Sequence, residues 1–155
     1  MNSSTTIICR PATPGDVDVI TDFNCRLAFE TESLTLDSDI VRRGVARSLQ
    51  LSPEAQYFVA VVNSDVVGQL MLTREWSDWR NGWIVWLQSV YVDERFRKAG
   101  VFRELFRFVR RRLAEQPDVV GIRLYVESEN AAALGTYSRL GFRQSGYLVL
   151  EMSDD

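Results

Sequence analysis

Between Arg95 and Arg112 this chain carries seven Arg, one Lys and one Glu. At the front of that run stand Arg95, Arg97, Lys98 and a single glycine, Gly100, where an apolar strand pattern gives way to a helical one. A strand, a Gly-containing turn and a helix start together aim unused backbone N–H groups, and the positive end of the helix, at an anion. That is chemistry for a phosphate or a pyrophosphate. One glycine is fewer than phosphate loops generally carry, so the same cations also read as a nucleic-acid stripe or a solvated helix face.

The other candidate residues are carboxylates, aromatics and the amide of Asn130. Tyr137 reads as a core aromatic with a polar tip, Asn130 as a helix cap, and Glu127 as a solvated strand end. Trp76 and Trp79 read as packing residues or as walls of a substrate pocket. Glu30, with Glu32 and Asp37, reads as loop solvation or as an attraction for an amine. There is no His, which removes the commonest general base and the commonest metal ligand. Cys9 and Cys25 make no metal spacing, and no metal is expected. Both read as buried thiols in a reducing compartment.

The elements that position these residues follow from periodicity. Ile7–Cys9 reads as a strand, then a Pro-Gly break, then a helix over 17–31 with Asp16 as its N-cap and Val17, Ile20, Phe23, Leu27 and Phe29 inward. Asp39 opens a second helix, carrying Ile40, Val41, Val45 and Leu49, that Pro53 ends. Strands are expected over 57–62 and 66–73, joined as a hairpin by the turn 63–65. Residues 74–82 read as a loop and 83–92 as a nearly all-apolar central strand. A helix over 101–115 has the stripe Phe102, Leu105, Phe106, Val109 and Leu113. A strand over 119–126, a helix over 130–140 stopped by Gly141, and a strand pair at 142–144 and 147–152 complete the order β-α-α-β-β-β-α-β-α-β-β.

The chain has 155 residues, 46% hydrophobic and 25% charged, which suits one soluble globular domain over 1–155. Its net charge of −3 argues against a general nucleic-acid or membrane binder. The basic run sums to +7, so the rest sums to −10. The start has no charged leader followed by a long apolar core, and no apolar run approaches a membrane span, so a cytoplasmic protein is expected.

Two stretches carry a resemblance. Arg97-Lys98-Ala99-Gly100-Val101-Phe102, after a strand ending in Val, resembles the acetyl-CoA loop of the GCN5-related N-acetyltransferase (GNAT) superfamily, Arg/Gln-x-x-Gly-x-Gly/Ala. Asn130, Ala133, Tyr137 and Leu140-Gly141-Phe142 resemble that family's second signature. The element order agrees over nearly the whole chain. The resemblance implies an α/β domain with a central mixed sheet flanked by helices, moving acetyl from acetyl-CoA to a primary amine by direct attack. It implies that backbone groups of Val90, Tyr91 and Val92 pair with the pantetheine arm. The N–H groups from Arg97 to Phe102 hold the pyrophosphate, Asn130 bonds near the pantetheine, and Tyr137 faces the thioester sulfur. Phe102 departs from the family's Gly or Ala and reads as pointing back along the apolar stripe. The family's strand carboxylate is missing: residues 86–91 read Trp-Leu-Gln-Ser-Val-Tyr. Glu127 is taken as the base, with Glu75, Asp78 or a water chain as alternatives.

An amine attacks only when neutral, from a starting pKa near ~10.4, so a proton acceptor is required. The developing oxyanion needs an N–H donor, most simply the backbone near Val90. A leaving thiolate, near pKa ~8.5, is helped by a Tyr donor. A non-catalytic acyl-CoA sensor and an Arg-helix nucleic-acid module are the competing readings. The partners expected are acetyl-CoA and a small amine, with a possible homodimer.

Overall fold

The computed structural model describes residues 4–154. The chain divides into two compact units, one up to Tyr125 and one from Val126 onward. The first holds a five-stranded sheet in the order β1-β2-β3-β4-β5. The strands are β1 Ile8–Pro11, β2 Ala55–Val62, β3 Asp65–Ser77, β4 Gly82–Val92 and β5 Val119–Arg123. The first four are antiparallel, and β5 lies parallel to β4. Parallel neighbours need a crossover, which α3 (Val101–Ala114) supplies; α1 (Val17–Glu32) and α2 (Ser38–Ser48) lie between β1 and β2 in sequence.

Strand alternation decides which helix covers which face. Gly68 on β3 meets Val101 of α3, since a Cβ there would lie 2.9 Å from Val101 Cγ1. Gln69, next along, points the other way and bonds Asn24 of α1. Successive side chains leave a strand on opposite faces, so α3 and α1 cover opposite faces. The same alternation runs along β2. Tyr57 and Val59 join a core with Val17, Ile20 and Val45 from α1 and α2. Phe58 faces α3, its ring 5.9 Å from that of Phe108. With both faces covered, Phe58, Val59 and Ala60 are each 0–1% exposed. That is why the run reads as continuous rather than alternating apolar.

Several boundaries differ from the sequence expectation. The stretch 74–82 is mostly strand, because β3 runs to Ser77 and β4 starts at Gly82, leaving a turn at 78–81. Polar residues there sit on a half-exposed hairpin that the periodicity of the core does not reach. Asp16 occupies the N-cap position of α1 without capping it. Its carboxylate is held instead by Arg10 at 2.7 and 3.0 Å and by the Thr13 N–H at 2.7 Å. Asp37, not Asp39, caps α2, accepting from the N–H groups of Asp39 and Ile40. Phe29 is 64% exposed rather than inward. Cys9 and Cys25 are free and half-buried rather than buried, with burial pushing the Cys9 thiol up.

The second unit contains α4, Ala131–Arg139. The expected strands over 142–144 and 147–152 are not formed among the described residues, and Leu148, Val149, Leu150 and Met152 are exposed. Apolar β-formers alone do not make a strand; a partner must supply the ladder.

Candidate functional site

The strand, turn and helix singled out in the sequence come together as follows. β4 and β5 pair from Trp83↔Val119 to Trp86↔Arg123 and then stop. Beyond that point β4 continues to Val92 paired only on its β3 side among the described residues. Within this free stretch the register slips: Met71 faces Gln88 and Gln69 faces Tyr91, so Leu70 stands opposite both Ser89 and Val90. Ser89 has φ +51°, the left-handed conformation that marks a bulge. The sequence carries no Gly or Asn to announce it.

After β4, Asp93 is buried and its carboxylate organises the turn. It accepts from Arg95 N–H, Nε and Nη2 at 3.0–3.1 Å. These bonds hold the Asp93 carboxyl below the usual carboxylate range. Lys98 (φ +63°) and Gly100 (φ +82°) then take left-handed conformations on the way into α3. Alternation of left- and right-handed residues turns successive N–H groups to one side. Gly100 is the N-cap and offers no side-chain cap to the first turn of α3, whose leading N–H groups have no acceptor inside the helix.

The turn's cations do not all face outward. Arg95 is tied to Asp93. Arg97 donates Nε to Val92 O at 3.0 Å and Nη2 to Glu30 at 2.8 Å, with its guanidinium 5.4 Å from the Tyr91 ring centre. Tyr91 donates its hydroxyl to the same Glu30 at 3.2 Å. Burial, then the Glu30 charge, push that hydroxyl up. Lys98 and Ala99 are exposed, and Val90 and Val92 are half-buried. The Phe102 ring lies 5.7 Å from that of Phe106, one turn on in its own helix. Arg103, Arg107, Arg110 and Arg111 form an exposed face, whereas Arg112 places its guanidinium 5.4 Å from the Phe58 ring centre.

In the second unit, Asn130 caps α4, accepting from Ala133 N–H at 3.2 Å. Leu140-Gly141-Phe142 is the helix stop: Phe142 N–H reaches Tyr137 O at 3.0 Å and Gly141 N–H reaches Ser138 O at 3.0 Å. Gly141 has φ +98°, so this is a Schellman closure. The Phe142 ring meets Tyr137 edge-on at 5.7 Å. Burial pushes the Tyr137 hydroxyl up. Glu127 is exposed, its carboxylate accepting from Glu129 N–H at 2.9 Å.

The substrate candidates are not gathered together. Glu30 bonds Tyr91 near the end of β4, whereas Trp76 packs edge-on against Trp83 near its start, 5.0 Å between centres. Eight strand residues separate these positions by roughly 26 Å. Trp79 is 90% exposed on the β3–β4 turn. Asp78 accepts from Trp79 N–H. Glu75 accepts from Trp86 Nε1 at 3.0 Å and from Arg123 at 3.1 Å, at the point where β4 and β5 part. No helix among the described residues is long and apolar enough to cross a membrane. No metal-holding group of His, Cys, Asp and Glu occurs among them either.

Comparison with known proteins matches this architecture. The model of the acetyltransferase (GNAT) family matches residues 22–142. A possible acetyltransferase from Clostridium difficile 630 has a crystal structure similar to this one. Its TM-score is 0.89 at 42% identity, over 96% of this chain and 98% of that one. An N-alpha-acetyltransferase of Sulfurisphaera tokodaii is 29% identical over 100 residues, 59% of this chain and 58% of that protein. The chain thus spans just over half the length of that relative. A predicted acetyltransferase from Clostridium acetobutylicum, solved with acetyl-CoA, shares the fold: TM-score 0.75 at 14% identity, over 94% of this chain and 96% of that one. The chain belongs to the acetyltransferase (GNAT) family; acetyl-CoA is the acyl donor of that family.

Proposed function

We propose that residues 1–155 act as one N-acetyltransferase domain that moves acetyl from acetyl-CoA to a primary amine in a ternary complex. The observation that carries this reading is the run from Ser89 to Val101. It combines a strand freed on one side, a turn with two left-handed residues, and a helix start without a side-chain cap. These features fit a thioester bearing a pyrophosphate: an extended arm for the strand edge and an anion for the N–H groups. The match to the family over 22–142 spans both units, which supports treating them as one domain.

Acetyl-CoA supplies an activated acetyl group; the chain's residues do the rest. Backbone groups of Val90, Tyr91 and Val92 bind the pantetheine arm, and the N–H groups from Arg97 to Phe102 bind the pyrophosphate. Because Arg95 and Arg97 already pair with Asp93 and Glu30, backbone donors and Lys98 carry the phosphate contact. The Val90 N–H donates to the acetyl oxygen as charge builds there. Glu127 takes the amine proton, Tyr137 returns one to the sulfur, and Asn130 bonds near the pantetheine. The acceptor is a small molecule or peptide with a free amine. The similarity to the Sulfurisphaera tokodaii N-alpha-acetyltransferase supports including peptides.

The experiment is calorimetric titration with acetyl-CoA, joined to thiol release over a panel containing a tetrapeptide, spermidine and glucosamine 6-phosphate. Micromolar binding and amine-dependent thiol release are expected, with release falling roughly 10²–10⁴-fold in Glu127→Gln. Binding without release for any amine would turn the reading into a sensor, and no binding would sink it.

A further inference from the structure

We infer that Gln69 is a positioning residue for the reaction: its buried amide holds the Ser89 carbonyl and so aims the Val90 N–H. The inference rests on the role given above to that N–H.

Gln69 stands in an apolar strand and is 0% exposed. Its Nε2 donates to Ser89 O at 3.1 Å and to Asn24 Oδ1 at 2.9 Å. Asn24 in turn donates Nδ2 to the hydroxyl of Tyr57 at 3.0 Å. The chain Tyr57–Asn24–Gln69–Ser89 therefore links β2, α1, β3 and β4. A main-chain carbonyl only accepts, so the NH₂ of Gln69 must face Ser89. Its Oε1 is then buried with no hydrogen-bond partner among the described residues. Leaving a buried acceptor unpaired is unfavourable, because its desolvation is not repaid. An apolar side chain of the same volume avoids that cost, but it cannot hold Ser89 O.

Holding Ser89 O matters because of where the residue sits. It lies in the bulge, at φ +51°, where the ladder to β3 slips and β5 has already left. Regular strand pairing therefore does not fix the rotation of the Ser89–Val90 peptide. That peptide is planar and trans, so its C=O and N–H point in opposite directions. Drawing the carbonyl onto Gln69 sends the Val90 N–H away from Gln69. A donor acts on developing charge only when its direction is set beforehand.

The test is Gln69→Met in the full chain, which keeps the volume and removes the amide. Three quantities are read: the acetyl-CoA Kd by calorimetry, kcat and KM for thiol release with the best amine of the panel, and the amide resonance of Val90. Kd within about threefold of wild type is expected, with kcat down roughly 10–100-fold, a part of what deleting an oxyanion donor costs. The Val90 resonance shifts while those of Ile84 and Val85 stay. Should this variant not fold, Asn24→Leu releases Gln69 from α1 and gives the same pattern with a smaller loss. Unchanged kcat and an unchanged Val90 resonance would overturn the inference. So would equal losses in Kd and kcat, the mark of a merely structural role. A wild-type protein that does not bind acetyl-CoA sinks the functional reading along with it. A wild type that binds and turns over, matched by Gln69→Met, sinks this inference alone.

Discussion

Arg97 of the β4–α3 turn donates to Glu30 of α1 at 2.8 Å, and the same carboxylate accepts from Tyr91. The β4–α3 turn thus has one of its cations already balanced by a carboxylate from another element. Both partners are more than a third exposed, so the pair itself adds little to stability. Its effect is on the field at the turn.

Glu30→Gln removes the balancing charge. Acetyl-CoA binding should tighten by up to about threefold at low salt, and the gain should shrink as salt screens it. Calorimetric titration at two ionic strengths checks this; equal affinities for variant and wild type would mean that Arg97 does not feel the ligand.

Gly68→Ala places a Cβ 2.9 Å from Val101 Cγ1 and 3.4 Å from Tyr91 O. Overpacking of this kind costs typically about 1–3 kcal/mol. For a chain of this size that corresponds to a melting temperature lower by roughly 3–10 °C. Because Val101 begins α3, acetyl-CoA affinity should fall with it. Thermal melts and titration on one preparation read both effects.

Tyr137→Phe should lower kcat with little change in the Kd for acetyl-CoA. Burial raises the hydroxyl pKa, so the acid form persists at least to the ordinary tyrosine value of about 10. The wild-type pH–rate profile should therefore show no alkaline fall below that point that Tyr137→Phe abolishes. A fall centred near pH 8 and absent in the variant would contradict the upward shift by burial, whereas an unchanged kcat in Tyr137→Phe would exclude the hydroxyl as donor.

Asp16→Asn should destabilise the fold by about 1–2 kcal/mol, less than for a fully buried pair because Arg10 is 37% exposed. The Arg10 hydrogen bonds depress the Asp16 pKa in the folded state. A depressed folded pKa makes the stabilisation full above the unfolded value of about 3.9 and removes it as pH falls through the folded value. Denaturant unfolding from pH 7 to pH 3 should thus show wild type and Asp16→Asn converging at the acid end. A difference that does not narrow there would exclude the ion pair as its source.

The chemistry of the turn was legible because it depends on local backbone. Gly100 before an apolar 3.6-residue stripe announces a helix start without a side-chain cap, wherever the helix then packs. Leu140-Gly141-Phe142 is likewise local, a helix stop closed by its own main chain. The central strand was legible because burial on both faces leaves an unbroken apolar run. The hairpin over 74–82 was not, since half-exposed strand residues have the composition of a loop.

The element order through α4, the two-faced core and the left-handed turn into α3 were thus readable from the residues alone, because they follow from periodicity and short-range hydrogen bonding. What those parts face was set by long-range packing. It parted β5 from β4 beyond Trp86, placed the bulge at Ser89, and turned Arg97 back onto Glu30. It also joined Gln69 to Ser89 and Asn24, and set Glu30 and Trp76 at opposite ends of one strand. Each of these depends on the packing of residues far apart in the chain, fixed by which strand lies beside which. No local propensity encodes such a contact, because its energy exists only once both partners have been brought into place.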